Sequence, residues 1–98
     1  MLTLHSEMIK TIRHRELNRL FRGVKSRIGA GFLARLERAL AQLDATEAVA
    51  ELNLPGNRLH PLKGEWKGFW SITISANWRL VFRFEGGDAY DVDFIDYH

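Results

Sequence analysis

FWSITISANWRLVFRFEGGDAYDVDFI, residues 69–95, decides the fold because its apolar residues recur with a period of two. Trp70, Ile72 and Ile74 alternate with Ser71, Thr73 and Ser75. After Ala76-Asn77, residues Trp78, Leu80, Phe82 and Phe84 alternate with Arg79, Val81 and Arg83. Tyr90, Val92 and Phe94 then alternate with Asp91, Asp93 and Ile95. Alternation over five to eight residues marks strands with one buried face. Gly86-Gly87 tolerates positive φ at both central positions of a two-residue hairpin loop. The reading is a three-strand antiparallel meander. Its aromatic-rich face meets helices, and its other face carries Arg79, Arg83, Asp91 and Asp93.

Upstream the period changes. Pro55-Gly56-Asn57 signals a turn. Phe32, Leu33, Leu36, Leu40 and Leu43 form the apolar stripe of a helix, with Arg35, Glu37, Arg38 and Gln42 outside. That helix should fail near Asp44-Ala45-Thr46, and Thr46-Glu47 could cap a further turn holding Val49 and Leu52. Ser26–Gly31 reads as a loop. Leu17, Leu20, Phe21 and Val24 fit a short amphipathic helix stopped at Gly23 or shortly after. Ile9–Arg13 alternates as a short strand. Helices on one face of an antiparallel sheet make an α+β fold, and no linker or repeat divides the chain into more than one domain, 1–98.

The 98 residues contain no Cys, which removes disulfides, thiolate nucleophiles and zinc ribbons. A hydrophobic content of 46 % rules against disorder. No apolar run reaches membrane-spanning length, and residues 1–10 do not form a signal peptide, so the expected location is the cytoplasm and no membrane partner is expected. Residues 1–7 read as an extension ahead of Met8. Residues 1–67 carry twelve Lys and Arg against seven Asp and Glu, whereas residues 68–98 carry two against five. This basic first part fits a polyanion such as RNA, and equally a solvated helix surface.

Three constellations can carry chemistry: the loop Leu59-His60-Pro61-Leu62-Lys63-Gly64, the strand start Asn77-Trp78-Arg79, and the closing Asp96-Tyr97-His98. Histidine titrates near neutrality and exchanges protons. Lys and Arg neutralise charge on phosphoryl oxygens. Tyr stacks on a base or donates a hydrogen bond. Each also has a structural use. His60 fits a loop hydrogen bond, Lys63 a solvated turn, and Arg79 a cross-strand pair with Asp91 or Asp93. His98 fits a frayed chain end. The three tryptophans fit core or rim positions better than a stacking platform. His5 and His14 lack a partner at metal-ligand spacing and take no role.

GNRLHPLKG (56–64), GFWSI (68–72), ANWRLVF (76–82) and DYH (96–98), in this order and spacing, resemble the HigB branch of the RelE/ParE toxin superfamily over residues 8–98. The resemblance implies a RelE-like fold, two N-terminal helices packed on a small twisted antiparallel sheet. It implies the toxin of a type II toxin–antitoxin pair that cuts translated mRNA in the ribosomal decoding site. It places catalytic roles on His60, Asp96, Tyr97 and His98, and phosphate-binding roles on Lys63 and Arg79. Asn77 reads as the turn residue that sets Arg79. No metal or cofactor is implied. The implied partners are the ribosome with its mRNA and a HigA-type helix-turn-helix antitoxin, through which operator DNA is bound. Two alternatives come from other classes: a ParE-like gyrase toxin sharing the fold, and a non-catalytic co-repressor module.

Overall fold

The computed structural model describes residues 8–98. The proposed extension, residues 1–7, lies outside the described residues. The hairpin at Gly86-Gly87 forms as the sequence requires, with φ of 58° and 85° at the two glycines. It joins β3 (Trp78–Glu85) to β4 (Asp88–Asp96), and the Ala76-Asn77 turn joins β3 to β2 (Trp70–Ser75). A fourth strand, β1 (His60–Pro61), pairs with the outer edge of β2, giving an antiparallel sheet in the order β1-β2-β3-β4. The expected meander is therefore four strands, not three. The HP dipeptide has no alternation to announce it, and it is a strand only because Ser71 and Trp70 pair with it.

The short strand expected at Ile9–Arg13 exists as two parallel bridges to β4, at Ile9–Ala89 and Ile12–Val92. Lys10 and Arg13 donate backbone N–H groups to Ala89 and Val92 at 2.8 and 2.7 Å. Asp44 Oδ1 accepts from the Met8 and Ile9 N–H groups at 2.9 and 3.1 Å, tying this segment to the end of the second helix.

Helix α1 (Arg15–Phe21) begins where His14 Nδ1 accepts the Leu17 N–H at 3.1 Å, so the histidine given no role is an N-cap. Gly23, with φ 76°, stops the helix, and Val24, expected on its apolar stripe, is exposed beyond it. Helix α2 (Ala30–Ala45) starts two residues before the expected Phe32. It buries Leu36, Ala39, Leu40 and Leu43 against Ile72, Leu80, Phe82, Val92 and Phe94 of the sheet. A 3₁₀ turn follows over Val49–Leu52. Glu51, rather than Thr46 or Glu47, caps it. Its Oε1 lies 2.7 Å from the Thr46 hydroxyl and accepts the Glu47 N–H at 2.9 Å.

The sheet face away from the helices is not purely polar as expected. Val81, Leu62 and Phe69 are buried there, with Trp66, Ile95 and Tyr97 packed around them. A bulge also changes one strand's phase. Val81 pairs with Asp93 but Arg83 pairs with Tyr90, so β4 carries one extra residue between them. Asp91 absorbs it with φ 54°. Ala89 therefore takes the core position expected of Tyr90. Tyr90 instead lies under the Arg83 guanidinium, 5.7 Å from ring to Cζ. Simple alternation fails at this point because a bulge shifts every side chain before it to the other face.

Arg83 Nε donates to Asp91 Oδ2 at 2.8 Å, and Arg13 approaches the same oxygen at 3.6 Å. The hydrogen bond from Arg83 chiefly holds the Asp91 carboxyl below its ordinary range, with the Arg13 charge adding to it. A depressed folded-state pKa contributes stability above the unfolded carboxyl pKa, and that contribution is lost as pH falls through the folded value. Asp91→Asn keeps a residue that tolerates positive φ and removes the charge. The stability gap between wild type and this variant should be fullest near neutrality and narrow in urea melts as pH falls below the ordinary Asp range. A gap independent of pH would show that the ion pair is not its source.

Candidate active site

The register fixes where each proposed site residue stands. His60, Ser71, Val81 and Asp93 form one row across the four strands. Thr73, Arg79 and Ile95 form a second row nearer the Ala76-Asn77 turn. Directly opposed residues share a face. Val81 and Ile95 belong to the cluster away from the helices, so His60 and Arg79 face that same open side. Trp78 pairs with Asp96, and the Tyr97 N–H donates to Asn77 O at 2.8 Å, which ends β4 against the turn.

His98 Nδ1 lies 3.2 Å from Asp96 Oδ1, with both side chains exposed. The carboxylate here orients the imidazole, leaving Nε2 to solvent or substrate. Tyr97 between them packs on the Leu62–Phe69–Val81 cluster. His60 lies three strand spacings from β4, about 14 Å laterally. Because opposed residues share a face, Asp96, opposite Trp78, takes the helix-facing side with Phe94, so His60 stands on the open face and the Asp96–His98 contact at the end of the sheet. Arg79 faces the open side with His60, in the next row towards the turn where β4 ends.

Arg79 makes no pair with Asp91 or Asp93, which was its expected structural use. Its guanidinium donates to Ala76 O at 2.6 Å. Arg83, which no sequence signal singled out, takes Asp91 instead. Asn77 supplies the carbonyl that holds Tyr97, while Ala76, with φ 48°, forms the strained corner of the turn that Arg79 grips. Lys63 is exposed and N-caps a 3₁₀ turn over Gly64–Trp66. It lies beyond His60 on the side away from Arg79, so the structure does not gather it with the closing triplet.

The approach to His60 is anchored by residues that sequence reading missed. Asn57 is 2 % exposed and its side chain donates to Leu52 O at 2.9 Å and to Gln42 Oε1 at 3.0 Å. Arg35, expected on the solvent side of α2, turns inward and donates to Asn57 Oδ1 and to Thr73 O, both at 2.8 Å. Burial, more than the nearby Arg38 charge, lowers its pKa. The Thr73 N–H also donates to Asn57 O at 2.8 Å, so one asparagine ties helix, turn and β2 together three residues before His60. A GN turn pair was the only signal available. Asn57→Ala strands these partners in the interior and should cost about 1–3 kcal/mol, read as a lowered urea midpoint. An unchanged midpoint would show that water replaces the amide.

Among the described residues no three His, Asp or Glu side chains gather as a metal site, and no helix is long and apolar enough to cross a membrane.

Residues 10–98 match the family described as RelE-like toxin of type II toxin-antitoxin system HigB. The chain belongs to this HigB family. Endoribonuclease HigB of Proteus vulgaris is 45 % identical over 92 residues, covering 93 % of this chain and all of that protein. Toxin HigB-1 of Vibrio cholerae is 39 % identical over 64 residues, covering 64 % of this chain and 66 % of that protein. The α+β arrangement of two helices on a four-strand sheet is the RelE-like fold expected of a HigB toxin. As a HigB-type toxin of a type II system, the chain has an antitoxin partner.

Proposed function

We propose that this HigB-family toxin is a ribosome-dependent endoribonuclease that cuts mRNA in the decoding site. The observation that carries the reading is the exposed His98–Asp96 contact of 3.2 Å. It supplies an oriented proton carrier in a chain aligned end to end with a protein named as an endoribonuclease.

RNA supplies its own nucleophile, the 2′-hydroxyl, so the chemistry needs no metal ion. In-line attack puts the entering 2′-oxygen and the leaving 5′-oxygen on opposite sides of phosphorus. One group must take a proton on one side and another must give one on the other. His60 on the open face and His98 at the end of the sheet divide these roles, with the RNA between them. Asp96 orients His98. Tyr97 positions a base or the phosphate. Arg79, on the open face one row from His60, stabilises charge on the crowded phosphorus. Lys63, farther along, holds a flanking phosphate. The target places the toxin in the cytoplasm. Its partner is a HigA-type helix-turn-helix antitoxin, and operator DNA is bound through that complex.

Primer extension on a defined mRNA with purified translating ribosomes tests the reading, beside a chain lacking His98. Ribosome-dependent cuts that vanish without His98 are expected. DNA gyrase supercoiling should be unaffected by the same preparation. Supercoiling inhibition without cuts would move the chain to the gyrase-poisoning class.

A further inference from the structure

Two cavities on the helix side of the molecule share a wall. One, of about 230 Å³, is lined by His14, Ile28, Phe32, Trp78 and Phe94 together with Glu16 and Arg27. Its rings pack closely: Trp78 and Phe94 centroids lie 4.8 Å apart, and Phe32 stands 5.6 and 5.4 Å from them. The other, of about 530 Å³, is lined by Arg15, Arg19 and Lys25 with the same Glu16 and Arg27. It therefore gathers four cations against one carboxylate. Glu16 is already engaged, accepting the Arg27 N–H at 2.7 Å. Arg19 is held in place by donating Nε to Lys25 O at 2.8 Å. The aromatic cavity abuts the catalytic end of the sheet, because Trp78 is the register partner of Asp96.

From this continuity we infer that the two cavities form a track for single-stranded substrate RNA beyond the cleavage point. A strand leaving the open face turns over the sheet end, past the Asp96–His98 contact and the Trp78–Asp96 pair. One base enters the pocket of Phe32, Trp78 and Phe94, and the following phosphates lie among Arg15, Arg19, Lys25 and Arg27. An aromatic platform beside a basic groove is the arrangement that holds single strands without reading sequence. A cavity of about 230 Å³ suits one base and is too small for a helix of a protein partner. The inference rests on the nuclease reading, since it makes the bound polyanion the substrate.

The test is fluorescence anisotropy of a labelled single-stranded 2′-O-methyl oligoribonucleotide, which cannot be cut, titrated with the full chain at several salt concentrations. The double variant Arg15→Gln, Lys25→Gln changes only exposed charges. It should weaken binding and flatten the slope of log K against log salt by about 1.4, the loss of two phosphate contacts on a single strand. Phe32→Leu should weaken binding about tenfold with the slope unchanged. Arg38→Gln, an exposed cation on α2 outside both cavities, should change neither. The track is overturned if the cavity variants bind as wild type does, or if Arg38→Gln weakens binding as much as they do. It is also overturned if they keep RNA affinity and lose only antitoxin capture, which would make the surface a protein interface. Ribosome-dependent cutting by the wild type is read in parallel. Its absence overturns the nuclease reading, whereas intact cutting without cavity-dependent RNA binding overturns the track alone.

Discussion

Replacing His98 with Ala is expected to lower the rate of mRNA cleavage by at least ~10²-fold, the usual contribution of a positioned acid or base. The urea midpoint should stay where it is. The His98 side chain is 69 % exposed and its one polar contact is with an exposed carboxylate, so its loss leaves no cavity and no buried orphan. Activity and stability therefore separate at this position. Asp96→Asn should fall between wild type and His98→Ala, because an amide still accepts a hydrogen bond from the ring but makes a weaker one than a carboxylate does. If His98→Ala turns over at the wild-type rate, the imidazole has no part in the chemistry, and His60 with Arg79 must carry it.

The opposite separation is expected at Phe82. This side chain is fully buried at the centre of β3, among Ile72, Leu80, Leu40 and Leu43 of the main core. Phe82→Ala should cost about 3–5 kcal/mol, from lost transfer energy and the cavity left behind. A domain of this size has only about 5–15 kcal/mol in all. The variant should unfold at a much lower urea concentration, while any folded fraction keeps the register that presents Arg79 and the closing triplet. A loss under about 1 kcal/mol would mean that the helices collapse onto the gap.

These two outcomes follow the division between what the residues announced and what they did not. The β2–β4 meander was legible because Trp70, Ile72 and Ile74 and then Trp78, Leu80, Phe82 and Phe84 alternate with their neighbours, and Gly86-Gly87 admits little but a tight hairpin. Helix α2 was legible from Leu36, Leu40 and Leu43 at helical spacing. Three features were not, and each depends on a partner distant in sequence. His60-Pro61 becomes a strand only by pairing with Trp70 and Ser71. Tyr90 changes face only because Asp91 accepts a positive φ and inserts a bulge. Arg35 looks like a solvated helix residue until Asn57 and the Thr73 carbonyl are placed beneath it. Of the site residues, local pattern found His60, Arg79 and the closing Asp96-Tyr97-His98. It could not show that His60 stands on the open face while Asp96 falls opposite Trp78, nor that Lys63 stands apart.

The parallel bridges between residues 9–12 and β4 have a consequence for how the toxin is made. They join Ile9 to Ala89 and Ile12 to Val92, and a hydrogen bond from Asp91 to Thr11 spans 80 positions. During synthesis the opening segment waits for β4, and β4 also supplies one side of β3. Neither the sheet nor the Asp96–His98 contact can be assembled on a half-made chain. The fold is therefore incomplete until β4 has been made, and closing so long a loop adds delay after that. A cell translating this toxin has that interval in which an antitoxin can meet it before the first message is cut.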